Sequence, residues 1–284
     1  MSQIWRGMSG GVEVLENVNE IADLPDISTI NSEGVWYIES GAFAPDYIAP
    51  TNWDSTAGEF TDWFSLFDGQ ILVGIPDSVE LHAHYDFSRE DGSLPIADVS
   101  DNNFDLDQGG YSGVGGEING NQAGVFDGVG DAVWLDDGDS IDTITFYIVC
   151  SSGDLSDNDD YTILQTENNL DNHALEWSDG NWRTYPRTSI TGSSDQSSQL
   201  FTVIWDGDSG DITIRENGSE TGTGTSDPFD FRLDEFGLGS KEPFSSSDFF
   251  EGEIGEVIIS PEVPNDSERD EMESYLTGKW NISL

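Results

Sequence analysis

Over 284 residues the chain carries 57 acidic and 9 basic side chains, a formal net charge of −48. With no basic stripe to neutralise phosphates, this balance excludes nucleic acid and anionic membrane surfaces as partners. A hydrophobic content of 35% beside 32 glycines suffices for a packed core and excludes a disordered acidic tail. Cys150 is the single cysteine, so no intrachain disulfide forms. It ends an alternating run from Ile141 and reads as a small buried hydrophobe. The opening MSQIWRGMSGGVEV has no apolar leader core, and no run of 18 apolar residues occurs, so neither export by a signal peptide nor membrane insertion is expected.

Residues 1–75 read as a separate small β-rich unit. After Gly10 and Gly11, Val12, Val14 and Leu15 open a strand, and Asn17–Leu24 has a weak helical pattern ended by Pro25. Val35–Ile38, Asp46–Ala49 and Phe60–Phe67 are aromatic-rich strand candidates set apart by turn residues. About 70 residues fold alone only marginally, so this unit is expected to pack on a partner subunit or on the larger domain. The alternative is an N-terminal decoration of one domain. The stretch IADLPDISTINSEGVWYI is similar to small β modules of tailed-virus structural proteins, which attach or space a receptor-binding domain.

Residues 76–284 carry many short strand patterns at regular spacing. Val79, Leu81, Ala83, Tyr85 and Phe87 alternate with Glu80, His82, His84 and Asp86, which predicts an antiparallel strand with one solvent-facing side. Ile141–Cys150 alternates again. Leu200–Asp206 and Asp211–Gly218 read as a hairpin followed by an Asn-Gly turn, and Phe231–Gly239 supplies another strand. Ile254, Val257, Ile258 and Ile259 form a bounded β-branched run that Pro261 and Pro264 stop. One helix closes the chain. Asn265 and Glu268 have the spacing of a capping box, Lys279 suits the last turn, and Met272, Tyr275, Leu276 and Trp280 fall on one face. That stripe must dock on something flat and apolar.

The closing pattern, carried by Phe250, Gly252, Ile254, Glu256, Val257, Ile258, Ile259, Glu268, Arg269, Glu273, Tyr275, Leu276, Lys279 and Trp280, resembles the end of laminin-G-like (concanavalin A-like) jelly-roll domains. Asp98–Leu106 is similar to the family's D-x-S-G-N-x-x-x-L loop, with Asp101 in place of the usual Gly. Gly124–Gly128 and Ala132–Leu135 are similar to the next strand pair. The resemblance spans about residues 78–284 and is thinnest over 151–200. It implies an all-β, antiparallel two-sheet jelly-roll sandwich with a C-terminal helix. It also implies one structural calcium ion at the rim, held by Asp98 and Glu256, with Asn102 and Asp86 as neighbours. Abundant acidic residues offer carboxylates anywhere, so the ion is one of two readings. Asp154–Asp160 and Asp206–Asp211 lack the Gly and Glu of a calcium loop and read as turns. His82 and His84 share one strand side and read as solvent-facing, with a transition-metal clip as the alternative.

Glycosidases of this fold place paired glutamates on one strand. No Glu-x-Asp-x-Glu run occurs here, nor a nucleophile elbow, a zinc-protease helix or a P-loop, so no enzymatic activity is expected. For ligand binding, Trp177, Trp182, Arg183, Tyr185 and Arg187 gather aromatic faces and scarce positive charge within eleven residues. The competing reading is a hairpin whose aromatics fill the core. Asn217, Asn265 and Asn281 begin glycosylation sequons, triplets that arise often by chance, and Asn217 and Asn265 also have turn and capping roles.

A compact body of this length exposes on the order of 12,000 Å², so the −48 charges stand about 16 Å apart. Acid spread evenly along the chain, with only Lys241 and Lys279 as lysines, resembles proteins of extreme halophiles. An acidic interaction surface would concentrate the charge in one block. Together these readings point to a virion surface protein, a turret or tail fibre of a virus of a halophilic archaeon, assembled in the cytoplasm and released by lysis. It would be a homo-oligomer, joined to other virion proteins and binding a host glycan or glycoprotein. The alternatives are a purely structural decoration and a carbohydrate-active enzyme or its sugar-binding module.

Overall fold

The computed structural model describes strand backbone within residues 1–75. Beyond that it describes residues 76–283, except 77–78, 101, 103, 136–139, 142, 154, 156–159, 167–171, 187–188, 198, 227–230, 233–235 and 241–247. The chain divides into two compact units, Met1–Pro76 and Asp77–Leu284.

The first unit holds one five-stranded sheet in sequence order, β1 (Val12–Leu15), β2 (Val35–Ile38), β3 (Asp46–Asp54), β4 (Glu59–Ser65) and β5 (Ile71–Leu72). β1 and β2 run parallel and the other neighbours antiparallel. The helical pattern over Asn17–Leu24 lies outside the described residues.

The second unit contains β6 (Ala83–Asp86), β7 (Gln108–Gly110), β8 (Gly113–Ile118), β9 (Asn121–Asp127), β10 (Ala132–Trp134), β11 (Ser140–Ile141), β12 (Thr143–Ser152), β13 (Tyr161–Gln165), β14 (Asn172–Ser178), β15 (Asn181–Pro186) and β16 (Ile190–Thr191). It continues with β17 (Leu200–Asp206), β18 (Asp211–Glu216), β19 (Ser219–Thr225), β20 (Phe231–Arg232), β21 (Gly237–Leu238), β22 (Glu251–Ser260) and the helix α1 (Asp266–Trp280). Two antiparallel sheets face each other: seven strands in the order β16-β15-β14-β13-β21-β10-β7, and eight in the order β19-β18-β17-β12-β22-β9-β8 with β6 on β22. Between them lies one apolar core that includes Phe146, Ile148, Val203, Trp205, Leu164, Leu238, Trp177 and Trp182.

α1 lies against the other face of the eight-stranded sheet, touching β12 and β17. Its predicted stripe, Met272, Tyr275, Leu276 and Trp280, is buried, and the Asn265–Glu268 capping box is formed in both directions. This second cover explains why β12, β17 and β22 are buried on both faces. It also corrects the reading of the 79–87 strand. The side predicted to face water faces the helix, so His84 and Asp86 are buried. His82 stacks on Phe104 at 4.7 Å.

β22 changes face midway. Opposite β12, Ile254 pairs with Cys150 and Glu256 with Val149, so Gly255 is an extra residue in the ladder. Such a bulge re-aims the side chains that follow it. Ile254 points into the core before it; Val257 and Ile259 do so after it. Glu256 is thereby turned toward α1.

Candidate functional site

Among the described residues, two places concentrate chemistry-bearing side chains. The first is under α1. The β6–β22 register sets Asp86 directly opposite Glu256, two carboxylates on one face of adjacent strands, a pairing that repels unless a cation stands between. Lys279, from the last turn of α1, supplies it. Its Nζ lies 2.6 Å from Asp86 Oδ2 and 2.8 Å from Glu256 Oε2. Arg89 Nε adds a contact to Asp86 Oδ2 at 2.8 Å. Glu256 Oε1 accepts from the Tyr275 hydroxyl at 2.9 Å and lies 2.7 Å from His84 Nε2. Its Oε2 also accepts from Trp280 Nε1 at 2.7 Å. Asp86 Oδ1 accepts from the Ser88 amide and hydroxyl.

These contacts set the ionisation. Burial pushes a carboxyl pKa up, but the Lys279 ammonium, helped by His84, brings Glu256 net well below the usual carboxylate range. The same opposition of burial against Lys279 and Arg89 leaves Asp86 lowered. Burial pulls Lys279 down, and its two carboxylate partners raise it further than that. Asp86 and Glu256 are 1% and 0% exposed, so neither reaches a substrate. Glu253 is half-buried and Glu251 exposed, both on the far side of the Gly255 bulge from Glu256.

The residues expected to hold calcium therefore divide. Each oxygen of Asp86 and Glu256 already accepts from protein donors. Asp98 sits in the adjoining loop, its Oδ1 accepting from the amides of His84 and Ser100, its Oδ2 from the Ser100 hydroxyl and the Phe104 amide. The Asn102 side chain donates to the carbonyls of Leu81 and His82. Calcium requires about six to eight oxygens of its own. As arranged, this set does not fit the ion, and Asp98 and Asn102 shape the loop by hydrogen bonding to backbone.

The second place is the outer face of the seven-stranded sheet. Leu175, Leu164, Leu238, Val133 and Gly109 form one row across the strands, and its leucines and Val133 enter the core. The adjoining row lies on the other side of the sheet, where Gln165 and Gly237 are buried and Trp134 and Gln108 half-buried. Glu176 and Arg183 pair across β14 and β15 beside Thr162 on the same outer side. Trp134 is half-buried, and its ring lies against Gly109, where a Cβ would fall 2.3 Å from the indole. The recess beside Trp134, Gln165 and Ser240 has about 0 Å³ of room for a water-sized sphere, whereas small-molecule pockets begin at roughly 300 Å³. It is a face and not a pocket.

Of the residues predicted to bind a ligand, Trp177 and Trp182 are corrected: they are 1% and 0% exposed and belong to the core. They flank the Asp179-Gly180 turn as a cross-strand pair, meet edge to face at 5.3 Å, and Trp182 Nε1 donates to the Asp195 carbonyl. Arg183 lies on the outer face, 3.0 Å from Asp179 Oδ2. Tyr185 is opposite His173 in the ladder, its side chain undescribed, and Arg187 lies outside the described residues. Trp134 was not singled out in the sequence, although its alternation with Val133 and Leu135 placed it on the side of the strand away from the core.

No family model and no curated protein matches the chain. Among solved structures, Trypanosoma rangeli sialidase in complex with sialic acid aligns over 74% of this chain and 34% of its own, at 12% identity and a TM-score of 0.53. Domain 4 of AbnA, a GH43 extracellular arabinanase from Geobacillus stearothermophilus in complex with arabinotriose, aligns over 69% and 100%, at 19% identity and a TM-score of 0.46. The Ruminococcus gnavus IT-sialidase CBM40 bound to α2,3 sialyllactose aligns over 49% and 94%, at 16% identity and a TM-score of 0.36. The chain spans about a third of the length of the T. rangeli sialidase. At this identity that likeness shows the fold alone, an antiparallel two-sheet sandwich.

Proposed function

We propose that this protein is a non-enzymatic, glycan-binding surface subunit of a virus that infects a halophilic archaeon, attached to the particle by residues 1–75. The observation that carries the glycan reading is the division of labour between the two sheets. α1 takes the outer face of the eight-stranded sheet, while the outer face of the other carries half-buried Trp134, Gln108 and Arg183, with Gln165 and Glu176 buried among them. An aromatic ring with an amide opposite it, Trp134 and Gln108, suits a sugar, whose C–H face stacks and whose hydroxyls pair, and Arg183 adds a guanidinium four strands along the same face. The sialidase sharing the fold was solved with a sugar, sialic acid. The carboxylate pair Asp86 and Glu256, both held below the usual carboxylate range by Lys279, is buried beneath α1, which favours attachment over turnover. Evenly spread negative charge supports a brine habitat, and several copies on a particle would turn weak single-site contacts into firm adhesion.

The test is binding of purified protein to host envelope glycans at molar KCl. Trp134→Ala and Arg183→Ala are expected to weaken binding at least about tenfold, roughly 1.4 kcal/mol, with the melting temperature kept. Trp182→Ala, in the core, is expected to lower stability first. Wild-type protein that binds neither envelope nor glycan would instead leave a purely structural decoration.

A further inference from the structure

The cluster beneath α1 has the make-up of a metal site. One ligand atom each from His84, Asp86 and Glu256 lies within 4.8 Å of the others, and all three residues are buried. Yet its oxygens are filled by donors of the chain itself, and the donor between the two carboxylates is an ammonium. We propose that Lys279 is the resident cation of this cluster. Its ammonium occupies the seat that a divalent ion would otherwise take between Asp86, Glu256 and His84, so that the chain carries its own ion for fastening its C-terminal helix.

Charge supports this. Asp86 and Glu256 bring two negative charges, and Lys279 and Arg89 bring two positive ones. A divalent ion added to that balanced set would be an uncompensated charge out of water, which is costly. Position supports it as well. Lys279 leaves the last turn of α1, where a cation also meets the negative end of the helix. Its Nζ stands 5.8 and 5.7 Å from the Tyr275 and Trp280 ring centres, an aromatic wall that favours an ammonium. Being covalently tethered, it cannot exchange with the ions of a brine. About a fifth of its side chain reaches solvent, so truncation would open a path into the seat.

Mn²⁺ alone is a suitable probe, because one imidazole and two carboxylates accept it and its paramagnetic resonance reports binding. At molar KCl, chelator-treated wild type is expected to melt at the same temperature with or without Mn²⁺ and to hold no ion that Asp86→Asn removes. Lys279→Ala is expected to melt lower in chelator, to bind one Mn²⁺, and to regain at least half of the lost melting temperature. Lys279→Ala combined with Asp86→Asn should lose both effects. Lys279→Met, which keeps the stem and fills the seat, should melt low and take up no ion. Refolding of Lys279→Ala only in Mn²⁺ would also bear the proposal out. It is overturned by an Asp86-dependent ion in wild type, by a Lys279→Ala variant as stable as wild type, or by one that Mn²⁺ neither stabilises nor refolds.

Discussion

Gly255 shows how much one residue decides. As the extra residue in β22 it turns Glu256 from the core to the helix, and its missing side chain is where Trp280 lies. A Cβ there would stand 2.6 Å from the indole ring. The same indole donates to Glu256 Oε2, so displacing the ring strains the charge cluster too. Gly255→Ala is expected to destabilise by about 1–3 kcal/mol, the usual cost of overpacking, read as a lower denaturation midpoint at fixed molar KCl. An unchanged midpoint would mean that the ring does not rest on this residue. None of this was legible in the sequence, because a glycine in a strand pattern marks a bulge without saying what fills the space. Trp177 and Trp182 failed for a related reason. Their spacing around a two-residue turn puts them on one side of a hairpin, but which side meets the second sheet depends on strands far away in the chain. Lys279 read as a dipole partner, while one of its carboxylates, Asp86, is 193 positions earlier.

Elements whose logic is local were legible. The α1 cap rests on Asn265, whose side chain accepts from the Ser267 and Glu268 amides while Glu268 reaches back to the Asn265 amide. Asn265→Ala is expected to cost about 1 kcal/mol, with α1 and the sandwich unfolding in one transition, since the helix is also held at mid-length. There Glu273 receives Arg215 Nε from β18 at 2.8 Å and the Thr202 hydroxyl from β17 at 2.9 Å. Circular dichroism and tryptophan fluorescence followed together in denaturant would check this; two separated transitions would mean that the helix is only loosely fastened. The strand runs were visible in alternation or β-branched content, and so was the two-sheet class. Sheet membership and register were not, because each pairing is a choice among distant partners. The helix cover over β12, β17 and β22 explains why alternation at His84 and Asp86 misled: a polar side can be buried if its charges are paired.

At the scale of the whole molecule, charge repulsion is set by salt. Charges about 16 Å apart on an otherwise ordinary surface feel one another when the Debye length is about 10 Å, near 0.1 M salt, and scarcely at about 3 Å, near 1 M. The largely buried pairs of Lys279 with Asp86 and Glu256, and of Arg215 with Glu273, are screened much less than surface charges and hold α1 across this range of salt. The −48 net charge is therefore the component that salt controls. The melting temperature is expected to climb steeply in KCl between about 0.1 and 1 M and then flatten, because screening is nearly complete once the Debye length is well below the charge spacing. Dialysis below about 0.5 M should loosen the fold. A general salting-out effect on apolar surface would instead keep rising with concentration past 1 M, so the shape of the curve separates the two causes. NaCl should trace the same curve as KCl if screening alone acts. A melting temperature indifferent to salt over the whole range would remove the brine adaptation from the proposed function and leave the sandwich and its outer face to be explained without it.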